Sequence, residues 1–128
     1  MVPKRLNAIL SVAGQISPED VAGIAKLVFK SIVCHRPDGE SDDQTSFAAI
    51  ADAARALDIE TWYQPVRAGR VSLDDAQHFG EIVDDAAKPV FAYCRSGKRC
   101  TELWHLLQED DAYATRDNAK SGDMAAPV

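Results

Sequence analysis

Lys88-Pro89-Val90-Phe91-Ala92-Tyr93-Cys94-Arg95-Ser96-Gly97-Lys98-Arg99-Cys100-Thr101-Glu102-Leu103-Trp104 is the stretch on which the reading of this chain turns. A proline opens an apolar run of the length of one buried strand. The run becomes small, polar and basic at Cys94, then resumes at helical spacing through Leu103, Leu106 and Leu107. Strand, glycine-bearing loop and helix in that order build a cradle for an anion. The helix start presents unpaired backbone N–H groups and about half a positive charge. Arg95, Lys98 and Arg99 add side-chain charge at the same place. Each of these features favours a thiolate over a thiol, so Cys94 reads as a nucleophile. A lone cysteine after an apolar strand is more often an inert core residue. Three neighbouring cations argue against that here, because they repel one another unless an anion sits among them.

Working outward, Leu6 to Val12 reads as a first strand closed by Gly14. Ser17-Pro18-Glu19-Asp20 starts a helix with Val21, Ile24, Ala25 and Val28 on its core face. Ser31 to Cys34 is a short β-branched strand, followed by a polar loop from His35 to Asp43. A second helix carries Phe47, Ile50, Ala51, Ala54 and Leu57 on one face. Ile59 to Gln64 alternates and reads as a strand, Pro65 to Arg70 as loop. Ser72-Leu73-Asp74-Asp75 caps a third helix with Leu73, Ala76, Phe79, Ile82, Val83 and Ala86 inward. The last helix runs to about Glu109. This alternation predicts an α/β fold: a small, mostly parallel sheet of four to five strands flanked by helices. The loops from His35, Pro65 and Cys94 should leave the sheet at one end, where ligands bind.

The chain of 128 residues reads as one domain, with Asp110 to Val128 as a partly disordered tail carrying one weak helix before Gly122. Its net charge of −6 argues against nucleic-acid and anionic-membrane binding, which need excess Lys and Arg. The basic loop is thus a local positive spot that suits a small anion or a specific partner. No apolar run approaches the roughly 20 residues of a membrane span, and the N-terminus lacks a signal-peptide core. Three cysteines with no dense framework point to a reducing compartment, so the cytoplasm is expected. His35, His78 and His105 have no metal-ligand spacing; no metal or cofactor is expected.

Cys94-Arg95-Ser96-Gly97-Lys98-Arg99 resembles the active loop of single-domain rhodaneses and that of the tyrosine-phosphatase superfamily. The wider chain is similar to one branch of that superfamily, the bacterial β-lactamase-hydrolase-like phosphatase-like family (DUF442), first catalogued as a domain of unknown function. The matching pieces are Leu10-Ser11-Val12-Ala13-Gly14-Gln15, Arg36-Pro37-Asp38-Gly39-Glu40, Gln64-Pro65-Val66 with Gly69, and the Cys94 loop. The resemblance implies a dual-specificity-phosphatase-like fold. It also implies a partner such as a sulfur dioxygenase or an oxidoreductase, to which such domains are often fused.

Four residues separate Cys94 from Arg99. Tyrosine and dual-specificity phosphatases carry one more, whereas rhodaneses use the shorter loop, which fits a single outer sulfur on the cysteine. The stretch Pro65-Val66-Arg67-Ala68-Gly69, where a dual-specificity phosphatase keeps its general acid, contains no carboxylate, and the usual His before the Cys is Tyr93. Sulfur transfer needs no strong acid, because its leaving group is already a stable anion. The expectation is therefore a rhodanese-type sulfurtransferase carrying a persulfide on Cys94, with thiosulfate or a persulfide as donor. The alternatives are a phosphatase acting on phosphomonoesters through a Cys94 thiophosphate, and a non-catalytic anion-binding or partner-docking module. Cys94 and Arg99 are the expected catalytic pair. Arg95, Ser96, Gly97, Lys98, Arg36 and Arg67 are expected to bind the anion, and Asp38 to orient the site unless Pro37-Asp38-Gly39 is only a turn. Cys34 is a possible redox partner of Cys94, though a buried core thiol is the commoner outcome. Cys100 reads as a helix-packing thiol.

Overall fold

The computed structural model describes residues 1–110; the tail expectations for 111–128 fall outside the described residues. A five-stranded sheet is built from β1 (Lys4–Arg5), β2 (Leu10–Ala13), β3 (Ser31–Cys34), β4 (Glu60–Tyr63) and β5 (Val90–Tyr93), in the order β1-β2-β5-β3-β4. All pairings are parallel except that of β1 with β2. The helices are α1 (Asp20–Lys26), α2 (Phe47–Arg55), α3 (Leu73–Asp85) and α4 (Lys98–Glu109). Among the described residues no helix is long and apolar enough to cross a membrane.

Side-chain alternation along the strands divides the core. Leu10, Val12, Val33, Val90 and Ala92 face α3 and α4 and pack with Phe79, Leu103 and Leu107. Ala13, Ile32, Cys34, Phe91 and Tyr93 face the other way, onto Val21, Ile24 and Ile50 of α1 and α2. Each fully buried aliphatic or Phe side chain contributes about 1.5–3 kcal/mol. Ser46 caps α2 through a bond from the Ala49 N–H, and Ser72 with Asp75 forms a reciprocal capping box on α3.

The first strand departs from expectation. The stretch predicted as one strand over Leu6–Val12 folds back at Asn7, whose Oδ1 accepts from the N–H groups of Ile9 and Leu10. A short side-chain acceptor offers the backbone a turn in place of a ladder, and Lys4–Arg5 then pairs antiparallel with Ser11–Val12 as an extra edge strand. Three residues expected on helix core faces are exposed: Val28, Leu57 and Leu73. They lie just past or at helix ends, and Val28 takes a left-handed φ of 64° that turns it off the α1 face.

The parallel strands end level: Ala13, Tyr93, Cys34 and Tyr63 are register partners across the sheet. The loops that follow them meet at this edge, and β5 lies centrally between β2 and β3.

Candidate active site

Cys94 follows the last residue of β5 and is 1% exposed. Its N–H donates to the Ala13 carbonyl at 3.3 Å, and the Arg95 carbonyl accepts from Gln15 N–H at 3.1 Å, so β2 anchors the loop on one side. Two glycines permit that approach. A Cβ at Gly14 would stand 2.9 Å from the Arg95 carbonyl oxygen, and Gly97 has a φ of 92° with the Ala13 backbone 3.4 Å from where its Cβ would be. Gly97 is the N-cap of α4, and its N–H donates to Cys94 Sγ at 3.1 Å.

The Cys94 thiol is held down to a pKa of about 5. The largest cause is the Cys100 side chain, which donates to it; burial opposes, and the backbone N–H groups of Cys100, Ser96 and Arg99 add to the lowering. From the sequence, this effect is expected mainly from the loop cations and the helix start. The first place goes instead to a second thiol, and the backbone N–H groups of the helix start follow it. Cys100, expected only to pack α4, is fully buried against Cys94, and its own thiol is pushed well up by burial and by that contact. It therefore stays protonated and able to donate.

Arg99 projects from the first turn of α4 and is 5% exposed. Its Nη1 and Nη2 donate to the two Glu40 carboxylate oxygens at 2.7 and 2.9 Å, and Nη1 also donates to the Val66 carbonyl at 3.0 Å. Glu40 in turn accepts from Arg36 Nε at 3.0 Å. Arg99 foremost, against a smaller cost of burial, holds the Glu40 carboxyl below its usual range. In the sequence, Glu40 stands out only as the last residue of the Arg36-Pro37-Asp38-Gly39-Glu40 motif. The signal that singles it out is a carboxylate lying 59 positions from the arginine it grips, a pairing that no local pattern reveals.

The other predicted positions divide. Arg95 and Ser96 are exposed on the loop, Lys98 is exposed at the first position of α4, and Arg67 is exposed on the 64–70 loop. Arg36, expected to bind the anion, is instead buried, with Nε on Glu40, Nη1 on Gln15 Oε1 and Nη2 on Ser41 Oγ. All three nitrogens serve the scaffold. Asp38 accepts from the Phe47 N–H at 2.8 Å and donates its own N–H to the Tyr63 hydroxyl, so it orients the start of α2 and not the Cys94 loop. Cys34, expected as a possible redox partner, is not bonded to Cys94. All three cysteines are free, and Cys34 pairs in register with Tyr93, which turns its side chain to the face opposite Cys94. Its thiol donates to the Arg36 carbonyl, and burial foremost pushes it up to about 11.

His35 is fully buried beneath this edge. Its Nδ1 donates to the Gln64 carbonyl at 3.1 Å, and its ring meets Phe79 edge-on. Burial lowers its pKa to about 4, so it is neutral. Among the described residues no three His, Cys, Asp or Glu side chains are grouped to hold a metal.

Residues 4–111 match the family model described as "Beta-lactamase hydrolase-like protein, phosphatase-like domain". The chain belongs to this family. A β-lactamase hydrolase-like protein of Agrobacterium fabrum is 32% identical over 114 residues, 89% of this chain and 26% of that protein. The chain thus spans about a quarter of the length of such curated relatives. A proposed phosphatase from Neisseria meningitidis is 34% identical with a TM-score of 0.76, covering 82% of this chain and 76% of the other. The core catalytic domain of the PP-IP phosphatase SIW14 from S. cerevisiae shares the fold, with a TM-score of 0.65 at 17% identity over 87% and 72% of the two chains. The fold is that of phosphatases of the tyrosine-phosphatase superfamily. These comparisons favour the phosphatase alternative over the sulfurtransferase expected from loop length.

Proposed function

We propose that this phosphatase-like domain hydrolyses phosphomonoesters with Cys94 as nucleophile. The observation that carries the reading is the Cys94 sulfur, with a pKa of about 5 and backbone N–H donors at the start of α4 directed at it. The thiolate attacks phosphorus; an S–P bond forms as the P–O bond to the leaving group breaks, and the leaving oxygen takes the electron pair. Water then attacks the thiophosphate, the S–P bond breaks, and thiolate and inorganic phosphate are released. The loop N–H groups are suited to stabilising the equatorial oxygens.

Arg99 has a specific place in this scheme. A guanidinium has five N–H donors. The bonds to Glu40 and Val66 use both on Nη1 and one on Nη2, and leave the Nε edge, with the remaining Nη2 hydrogen, for two phosphate oxygens. Glu40 fixes the plane of that fork. As a carboxylate held ionised by Arg99 and Arg36, it is unsuited to protonating a leaving group. Asp38 and Asp75 are committed to caps. Substrates whose leaving group departs as a stable anion, aryl phosphates among them, are therefore favoured.

Sulfur transfer is the second reading, favoured by the short span of four residues between Cys94 and Arg99. A sulfur dioxygenase or oxidoreductase partner belongs with it. Intact-mass spectrometry after incubation with p-nitrophenyl phosphate or with thiosulfate separates the two. A phosphoryl adduct lost in Cys94→Ser, with turnover of the aryl phosphate, is expected. A sulfur adduct with no phosphate release from any ester would overturn the phosphatase reading.

A further inference from the structure

A groove of about 370 Å³ lies beside the Cys94 loop, between the β1–β2 ribbon and α4. Lys98, Thr101, Glu102 and His105 line it from α4. Their spacing of three, four and seven residues puts them on one helical face. Lys4 lines it from the opposite side; it is the register partner of Val12, which also lines the groove. The inner wall is Ser96 and Gly97, the outer side of the loop whose Gly97 N–H points at the Cys94 sulfur. Both lysines are exposed, and no ion pair joins either of them to an acid among the described residues. Thr101 already donates to the Gly97 carbonyl, whereas the Ser96 hydroxyl only accepts, from the Lys98 N–H, which leaves Lys4, Ser96, Lys98 and His105 as side-chain donors on offer, with Glu102 opposing them.

We propose that this groove seats a second phosphate of the substrate, one that does not react, so that the preferred substrates carry two phosphates. The inference rests on the phosphatase reading and extends it. Two cations facing each other across a groove that shares a wall with the reacting loop would hold the far end of such a molecule. The chain is acidic overall, with a net charge of −6, so two lysines in one concavity with no ion-pair partner among the described residues are a local reversal of its field. Glu102 sets a limit on how strongly the groove attracts anions.

The test uses the full chain as Cys94→Ser, which binds without turnover, and a series of alkane-α,ω-diol bisphosphates of increasing length with the matching monophosphates. Calorimetry should find one length bound roughly tenfold tighter than its monophosphate, a gain expected of two partly exposed ion pairs and one that fades with added salt. Adding Lys4→Ala should cut the ratio of bisphosphate to monophosphate affinity to roughly threefold, the share left to Lys98, and adding Glu102→Gln should raise it. That opposed pair of effects is not expected of residues that only support the fold. The inference is overturned if no length exceeds its monophosphate, or if Lys4→Ala leaves the ratio intact. The parent reading fails separately, if the wild-type chain releases no phosphate from p-nitrophenyl phosphate.

Discussion

Two neighbouring strands of this sheet end in the same way and serve opposite chemistry. β3 ends in Cys34, followed by His35 and Arg36; β5 leads into Cys94, followed by Arg95. Both thiols are nearly inaccessible, at 2% and 1% exposure. Yet one is pushed up to about 11 and the other held down to about 5. Burial works on both in the same direction. What differs is the number of donors: Cys34 has the Tyr93 hydroxyl beside it and gives its own proton to a carbonyl, whereas Cys94 receives several N–H groups from a helix start and the proton of Cys100. A nearby arginine in sequence does not make a reactive thiol; a set of donors aimed at the sulfur does.

The contrast is broken most severely at the sulfurs themselves. Cys94→Ser should lower turnover of an aryl phosphate by roughly 10⁴-fold or more, while Cys34→Ser stays within about twofold of wild type. Iodoacetamide mapping at pH 7 should label Cys94 first, since a thiol at about 11 is then only ~10⁻⁴ ionised. Faster labelling of Cys34 would reverse the assignment.

Next in size is the pin that joins the two loops. Glu40→Gln removes the charge that holds Arg99 and Arg36 together and should cost about tenfold to hundredfold in kcat/KM, with the loss mainly in kcat. Arg99→Lys, which keeps the charge but not the fork, should fall in the same range. Steady-state kinetics on both variants would show whether the carboxylate acts through Arg99.

The Cys34 side has its own titration. His35 is lowered from 6.5 to about 4, so its contribution to stability is complete above pH 6.5 and is lost as pH falls through 4. Urea unfolding of wild type and His35→Gln across that window should show a wild-type decline steeper by about 1–3 kcal/mol in total. Parallel curves would mean that the ring is not held neutral.

The finest adjustment concerns the second thiol. Cys100→Ala should raise the pH of half-maximal Cys94 labelling by about one unit, the worth of one hydrogen bond to a charged group. Cys100→Ser, which keeps a donor, should shift it less. An unchanged midpoint in Cys100→Ala would hand the whole effect to the backbone N–H groups.

Much of this was legible in the sequence because it is local. The alternation of strand and helix, the Ser72–Asp75 cap, and the passage from Tyr93 through Cys94 and Gly97 into a helix each depend on residues a few positions apart. A resemblance carried on four short motifs added the family. Local reading also had limits within its own range, since Asn7 turned one expected strand into two. Loop length, the most local measure of all, pointed to sulfur transfer where the fold and its relatives favour a phosphatase.

The rest was decided by long-range placement. Strand order put Cys34 and Cys94 one register step apart, and the two-residue period of strands then sent their side chains to opposite faces. Helical geometry brought Cys100 back over the sulfur. Folding carried Glu40 to Arg99 and claimed Arg36 and Asp38 for the scaffold. A residue's type limits what it can do; which donor reaches it, and from where, is a property of chain crossings that no short window of sequence contains.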